Sequence, residues 1–217
     1  MPRPPADAPL LTPDSIYAAA LRLIDRDGVD ALSMRKLAAE LNVNPKSLYH
    51  HVPNKEALLR GVYVSVLGEL RLPGAETSWQ EGLRQVAHSF RDLARRHPSF
   101  ISYFFQPHEP VRRELDAFEA LYALYRQAGL PDEVVLQTGR VLITFLTGFI
   151  LAELRGAVSR DTLQTQRAVA REHPERYPNT LHLPLPVGGN DPDHAFERAL
   201  DFIIAGLENT ASAPPKG

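Results

Sequence analysis

Leu32-Ser33-Met34-Arg35-Lys36-Leu37-Ala38-Ala39-Glu40-Leu41-Asn42-Val43-Asn44-Pro45-Lys46-Ser47-Leu48-Tyr49-His50-His51 reads as two short helices joined by a tight turn. Ser33 suits an N-cap, because its hydroxyl can accept from a free amide of the first helical turn. Met34, Leu37, Ala38 and Leu41 fall at i, i+3, i+4 and i+7, which is one apolar helix face. Asn42-Val43 supplies the turn, with Asn tolerating left-handed backbone. Asn44 caps the second helix and Pro45 takes its first position, where a missing N–H costs nothing. Leu48 and Val52 face inward and leave Lys46, Ser47, Tyr49 and His50 outside. No acid lies between Asn44 and Lys55, so this face suits phosphates and base edges. The plainer alternative is a helical hairpin with solvated polar residues. The cap-and-proline start and the clustered cations favour a helix-turn-helix.

The rest of the chain bounds what such a module could serve. Its 217 residues suffice for one large domain or a small one joined to a larger one. Hydrophobic residues make up 44% and charged residues 23%, enough apolar material for a real core. With no cysteine there is no disulfide framework and no thiolate site. The start, Met1-Pro2-Arg3-Pro4-Pro5, lacks a signal-peptide core, and a cytoplasmic location is expected. The longest uncharged apolar run, Val141 to Ala152, falls short of the roughly 20 residues a membrane span needs, so it reads as a buried or interfacial helix. Net charge is −2, yet Ser33 to Arg60 carries +3 and leaves −5 for the remainder. A small basic module on an acidic body fits a protein that touches DNA with one end.

In chain order, residues 1–11 read as a disordered proline-rich arm. Thr12-Pro13 opens a helix to about Asp27, with Ile16, Ala19, Ala20, Leu23 and Ile24 inside and Gly28 as its stop. Asn54 caps a fourth helix to about Arg71, whose first turn holds Lys55, a ready phosphate contact. Helices are expected from Trp79 to His97, across Phe100 to Phe105, from Pro110 to Ala128 and from Pro131 to about Ala157. Residues 174–190 hold four prolines and two glycines and read as a long loop, functional or mobile. The last helix runs from Asp191-Pro192 to about Asn209, ahead of a polar tail.

Two patterns now point to a family. Gly28-x-x-x-Leu32-Ser33-Met34-Arg35-Lys36-Leu37-Ala38, followed by Leu48-Tyr49-x-His51-Val52-x-Asn54-Lys55-Glu56-x-Leu58, resembles the DNA-binding domain of the tetracycline-repressor (TetR) family. Ser78-Trp79-Gln80 with Phe90 downstream, and Leu200-Asp201-Phe202-Ile203-Ile204-Ala205-Gly206-Leu207-Glu208, resemble the drug-binding and dimerisation domain of its tetracycline-repressor subgroup. The expected architecture is all-α, with a helix-turn-helix DNA-binding domain at 12–71, a ligand and dimer domain at 78–209, and a tail at 210–217.

A recognition helix brings three or four side chains to base edges. Lys46 and His50 are the leading candidates, with Asn44 and Ser47 behind them and Arg35 on a base or a phosphate. The resemblance places Tyr49 and Lys55 on phosphates and Ser33 at a backbone contact. One basic helix neutralises too few phosphates to bind well alone, and the helix around Val141–Leu154 is apolar nearly all round. A homodimer through the helices near 133–157 and 191–209 is therefore expected, and a four-helix interface is what the resemblance implies. Phe90, Tyr103, Phe104, Tyr122, Tyr125 and Phe145 could surround a cavity or simply form core. The resemblance implies a small-molecule inducer there. Counting without gaps from Ser78-Trp79-Gln80, that subgroup's metal-binding histidine falls on Phe104, and its amide-bearing pocket position falls on Val86. A Mg-tetracycline complex is thus not expected, nor any metal or cofactor, and the inducer should be larger or more apolar. No HExxH, paired histidine spacing, Gly-rich phosphate loop or G-x-S-x-G occurs, so an enzyme is not expected. A helical module that binds a protein partner would have no need for Lys46, Tyr49 and Lys55 on one surface. The expectation is a repressor of a double-stranded DNA operator, with no membrane partner.

Overall fold

The computed structural model describes residues 11–105, 109–184 and 191–212, all helices and their connections, with no strand among them. The arm expected at 1–11 lies outside them but for Leu11, as do 185–190 of the expected loop and 213–217 of the tail. The chain divides into two compact units: Met1–Leu70 with Asp92–Asp116, and Arg71–Arg91 with Ala117–Gly217. The unit that holds the helix-turn-helix thus also takes in 92–116, a segment that sequence patterning groups with the second domain.

In the first unit, α1 (Pro13–Asp27) starts in a reciprocal cap: Thr12 Oγ1 accepts from Ser15 N while Ser15 Oγ accepts from Thr12 N. Ile16, Ala19, Ala20, Leu23 and Ile24 are its buried face. Gly28 ends it at φ 85°, a conformation that costs a glycine little. α2 (Met34–Glu40) and α3 (Pro45–His51) follow, each seven residues long. α4 (Lys55–Gly68) opens on Asn54, whose Oδ1 accepts from Ala57 N. It buries Leu58, Leu59, Val62, Tyr63, Val66 and Leu67. α1 and α4 cross closely at Gly61, where an added Cβ would lie 2.2 Å from the Tyr17 ring. The expected short helix at 100–105 is a helical turn, α6 (Pro98–Ile101), and a 3-10 turn (Ser102–Phe105). Pro98 therefore begins a new turn as well as ending the helix before it. Tyr63, Phe100, Tyr103 and Phe104 pack edge and face, with Tyr63 and Phe104 centroids 4.8 Å apart. Burial, with Glu114 and Tyr103 adding to it, pushes the Tyr63 phenol above its ordinary range.

The second unit is built on α7 (Arg112–Gln127) from Ala117 onward, α8 (Asp132–Leu154) and α11 (Pro192–Ala211), together with α5 (Trp79–Arg96) as far as Arg91. Gly129 turns the chain between α7 and α8 at φ 82°. α8 stops at Leu154, short of the expected Ala157, because Gly156 turns left-handed at φ 71° and Ala157 N returns to Ala152 O. Two elements escaped sequence patterning. α9 (Arg160–Ala170) is capped by Ser159, and α10 (Pro178–His182) puts a helical turn inside the segment expected to be a loop. The two pack on each other, and Arg167 donates to the carbonyl oxygens of Thr180 and Leu183.

Candidate functional site

Local hydrogen bonding sets the α2–α3 pair. Ser33 Oγ accepts from Lys36 N at 3.2 Å, which leaves the hydroxyl proton free to donate outward. Asn42 sits at φ 52° and makes the turn. Asn44 Oδ1 accepts from Lys46 N at 2.9 Å. That cap engages one lone pair of the amide oxygen and leaves the NH2 free to donate, so Asn44 starts α3 and still presents an amide edge. Leu48 and Val52 are fully buried, and with Leu37 and Ala38 they seat α3 against α2.

With that anchor, Lys46, Tyr49 and His50 stand exposed on the outer face of α3, and Ser47 is half-buried beside them. Tyr49 is 50% exposed, against the packed ring that is its alternative. Arg35 is exposed on α2. Lys55 is different: its Nζ donates to Val29 O at 3.2 Å, joining the start of α4 to the α1–α2 connection. Its remaining protons are available to a phosphate, but it is a structural tie as well.

The seven aromatic and apolar ligand candidates divide between the units. Tyr103 and Phe104 belong to the first, in the aromatic cluster on Tyr63 and Phe100. Val86, Phe90, Tyr122, Tyr125 and Phe145 belong to the second. There Tyr125 is fully buried and its hydroxyl donates to Thr138 O at 3.4 Å; burial pushes its phenol above the ordinary range. Phe145 stacks on Phe196 with centroids 6.0 Å apart. Tyr122 stacks on Phe118 and, with Glu119, Arg126, Asp132 and Val135, lines an open groove of about 400 Å³ between α7 and α8.

Sequence reasoning missed the most buried charge among the described residues. Arg91 is only 3% exposed. Its Nε and Nη2 donate to the two oxygens of Glu153, each at 2.8 Å, and Nη2 lies 2.8 Å from Asp193 Oδ1. The guanidinium also sits 4.4 Å from the centroid of the Phe196 ring. It joins α5, α8 and α11. A signal was present: Arg91 stands four after Ala87 and three before Ala94, on the inner face of α5, where a lone arginine needs buried partners.

Both α8 and α11 present a second apolar face. Val141 is 59% and Phe202 71% exposed, while Leu142, Leu146, Ile150, Phe196, Leu200 and Ile204 are buried. By length and composition α8 could cross a membrane, its mean hydropathy reaching 1.8. Arg140 stands exposed within it, however, and Glu153 is spent on Arg91.

A capped helix pair with an exposed basic and aromatic face, joined to a larger all-helical body, defines a helix-turn-helix DNA-binding protein. Residues 16–62 match the model for bacterial regulatory proteins of the tetR family, and 72–211 match the tetracycline repressor-like C-terminal domain. The chain belongs to the TetR family, as a ligand-responsive transcriptional regulator and not an enzyme. It is 34% identical over 209 residues to an HTH-type transcriptional regulator of Saccharopolyspora erythraea, covering 94% of this chain and 87% of that one. It is 30% identical over 202 residues to the Escherichia coli tetracycline repressor protein class D, covering 91% and 89%. Among solved structures, Streptomyces coelicolor ActR in complex with actinorhodin superposes with a TM-score of 0.78 at 31% identity, covering 94% of this chain and 99% of that one.

Proposed function

We propose that this protein is a cytoplasmic repressor that binds a palindromic operator as a homodimer and leaves it when an apolar, aromatic small molecule binds its body. Residues 12–71 are the DNA-binding domain and 78–209 the ligand and dimer domain. The observation that carries the reading is the outer face of α3, where Lys46, Tyr49 and His50 stand exposed over the buried Leu48. In this reading Lys46 and His50 meet base edges. Tyr49, Ser33, Arg35 and Lys55 hold phosphates, and Asn44 and Ser47 stand at the start of the same helix.

The dimer forms through the outer faces of α8 and α11. The exposure of Val141 and Phe202 supports it, since a monomer would leave that patch in water. Val86, Phe90, Tyr122, Tyr125 and Phe145, all in the second unit, are the proposed inducer contacts; Tyr103 and Phe104 stand in the aromatic cluster of the first unit. Phe104 in an aromatic cluster offers a metal nothing, which favours an apolar ligand over a metal chelate. The actinorhodin complex of the ActR relative supports an aromatic inducer. Release requires that the inducer bind the DNA-incompetent conformation more tightly than the DNA-bound one.

Selection from random duplex DNA with the purified protein tests the reading, followed by salt titration on the winning sequence. An inverted repeat with half-sites roughly one helical turn apart, bound with affinity that falls steeply as salt rises, is the expected result. Absence of any enriched motif would overturn it.

A further inference from the structure

The groove between α7 and α8 lies wholly within the second unit. Its floor is the ring of Tyr122, which stacks on Phe118 one turn before it, with centroids 6.1 Å apart. The ring reaches α8 at Gly139, where an added Cβ would lie 2.9 Å from Tyr122 Cε1. Glycine there lets the ring rest against bare α8 backbone. Around it Val135 is buried, Ala123 takes little room, and Leu136 leaves 62% of its surface uncovered. An apolar concavity of about 400 Å³ beside an aromatic ring has the size and lining of a small-molecule site.

Charge decides which kind of molecule suits it. One cation and two acids line the groove. Arg126 and Asp132 answer each other at 3.2 Å. Glu119 stands three residues before Tyr122, on the same face of α7, and has neither ion pair nor hydrogen bond among the described residues. A carboxylate and an aromatic face both attract a cation. An anion would meet Glu119 and find Arg126 already taken. The groove is also separate from the face proposed for assembly. Leu136 and Val141 are five residues apart, about 140° around the helix, so α8 can meet a second copy on one side and keep the groove open on another.

We propose that this groove binds a planar aromatic molecule that carries a protonated amine, with its rings over Tyr122 and Leu136 and its ammonium group at Glu119. The bound rings cover the apolar surface that Leu136 otherwise leaves in water, and the ammonium supplies the charge that Glu119 lacks. The inference deepens the inducer reading, in which Tyr122 is already a contact, by adding a positive charge to the aromatic molecule. It rests on that reading for any consequence at the operator, and on the groove alone for binding.

Two probes that share one ring system test the site on the full-length protein. One is anthracene carrying an aminomethyl group, a cation at neutral pH; the other is anthracene carrying a hydroxymethyl group, its neutral counterpart. Binding of each is read from the fluorescence anisotropy of the anthracene. The amine should bind saturably, and about threefold or more tightly than the alcohol. E119Q should weaken the amine by about two- to fivefold, as expected for an exposed ion pair, and leave the alcohol unchanged. A123W fills the groove from an exposed position and should abolish saturable binding of both. No saturable binding of the amine, equal affinity for the two probes, an E119Q effect of the same size on both, or amine binding that survives A123W overturns the proposal. Selection from random DNA needs no probe and reads the repressor proposal by itself, so either can fail while the other stands.

Discussion

Single side chains decide whether this protein reads DNA, and two lysines that look alike in sequence do different work. Lys46 stands free of the helix pair on the exposed face of α3, whereas Lys55 donates to Val29 O. Lys46→Ala should weaken operator binding by about 1–3 kcal/mol if it meets a base edge, with melting temperature unchanged. Lys55→Ala should lower both affinity and stability, the latter by about 1 kcal/mol for the lost charge-assisted bond. Operator titration beside thermal melting separates them; a Lys55→Ala protein that melts like the wild type would count against the tie. Caps were the most legible feature at this scale. Thr12, Ser33, Asn44, Asn54 and Asp191 stand at helix starts, as their side-chain chemistry dictates. The same chemistry shows what is less legible: Asn44 spends one lone pair of its amide oxygen on the cap, and nothing local ranks capping above base contact.

At the scale of elements, Arg91 holds three helices together. It is buried with Glu153, Asp193 reaches it from the exposed first turn of α11, and the Phe196 ring covers its guanidinium. Removing one partner from a buried pair strands the other charge. Arg91→Ala should therefore destabilise the protein by about 3–5 kcal/mol, read from denaturant unfolding. Arg91→Met combined with Glu153→Leu should recover much of that loss, because the two desolvation costs disappear together. A double variant no more stable than Arg91→Ala would refute this account. The elements missed from sequence, α9 and α10, share a cause. Their apolar residues are few and partly exposed, Val169 among them, and Leu183 just past α10 is exposed as well, so neither shows a continuous apolar stripe, and prolines at 174 and 178 mask the short turn that follows.

At the scale of the whole molecule, the outer faces of α8 and α11 carry the proposed assembly. Phe202→Glu would place a charge on the most exposed large apolar side chain among the described residues. It should give a monomer by sedimentation with helix content intact. Operator affinity should fall on the order of a hundredfold or more, because half the phosphate and base contacts are lost. A variant that still sediments as a dimer would move the interface elsewhere.

The sequence alone determined the all-helical class, the position of the helix-turn-helix and the outer face of α3 that we propose meets DNA. These follow from neighbours within about seven residues: caps, prolines at helix starts, and apolar periods of three and four. Pairings across long separations were decided only by the tertiary structure, because their partners lie 72 residues apart for Asp25 and His97, and 62 for Arg91 and Glu153. A charged residue on an inner helix face announces that a partner must exist. Which residue answers is settled by packing, since only the folded chain brings one carboxylate within reach and leaves the others in water.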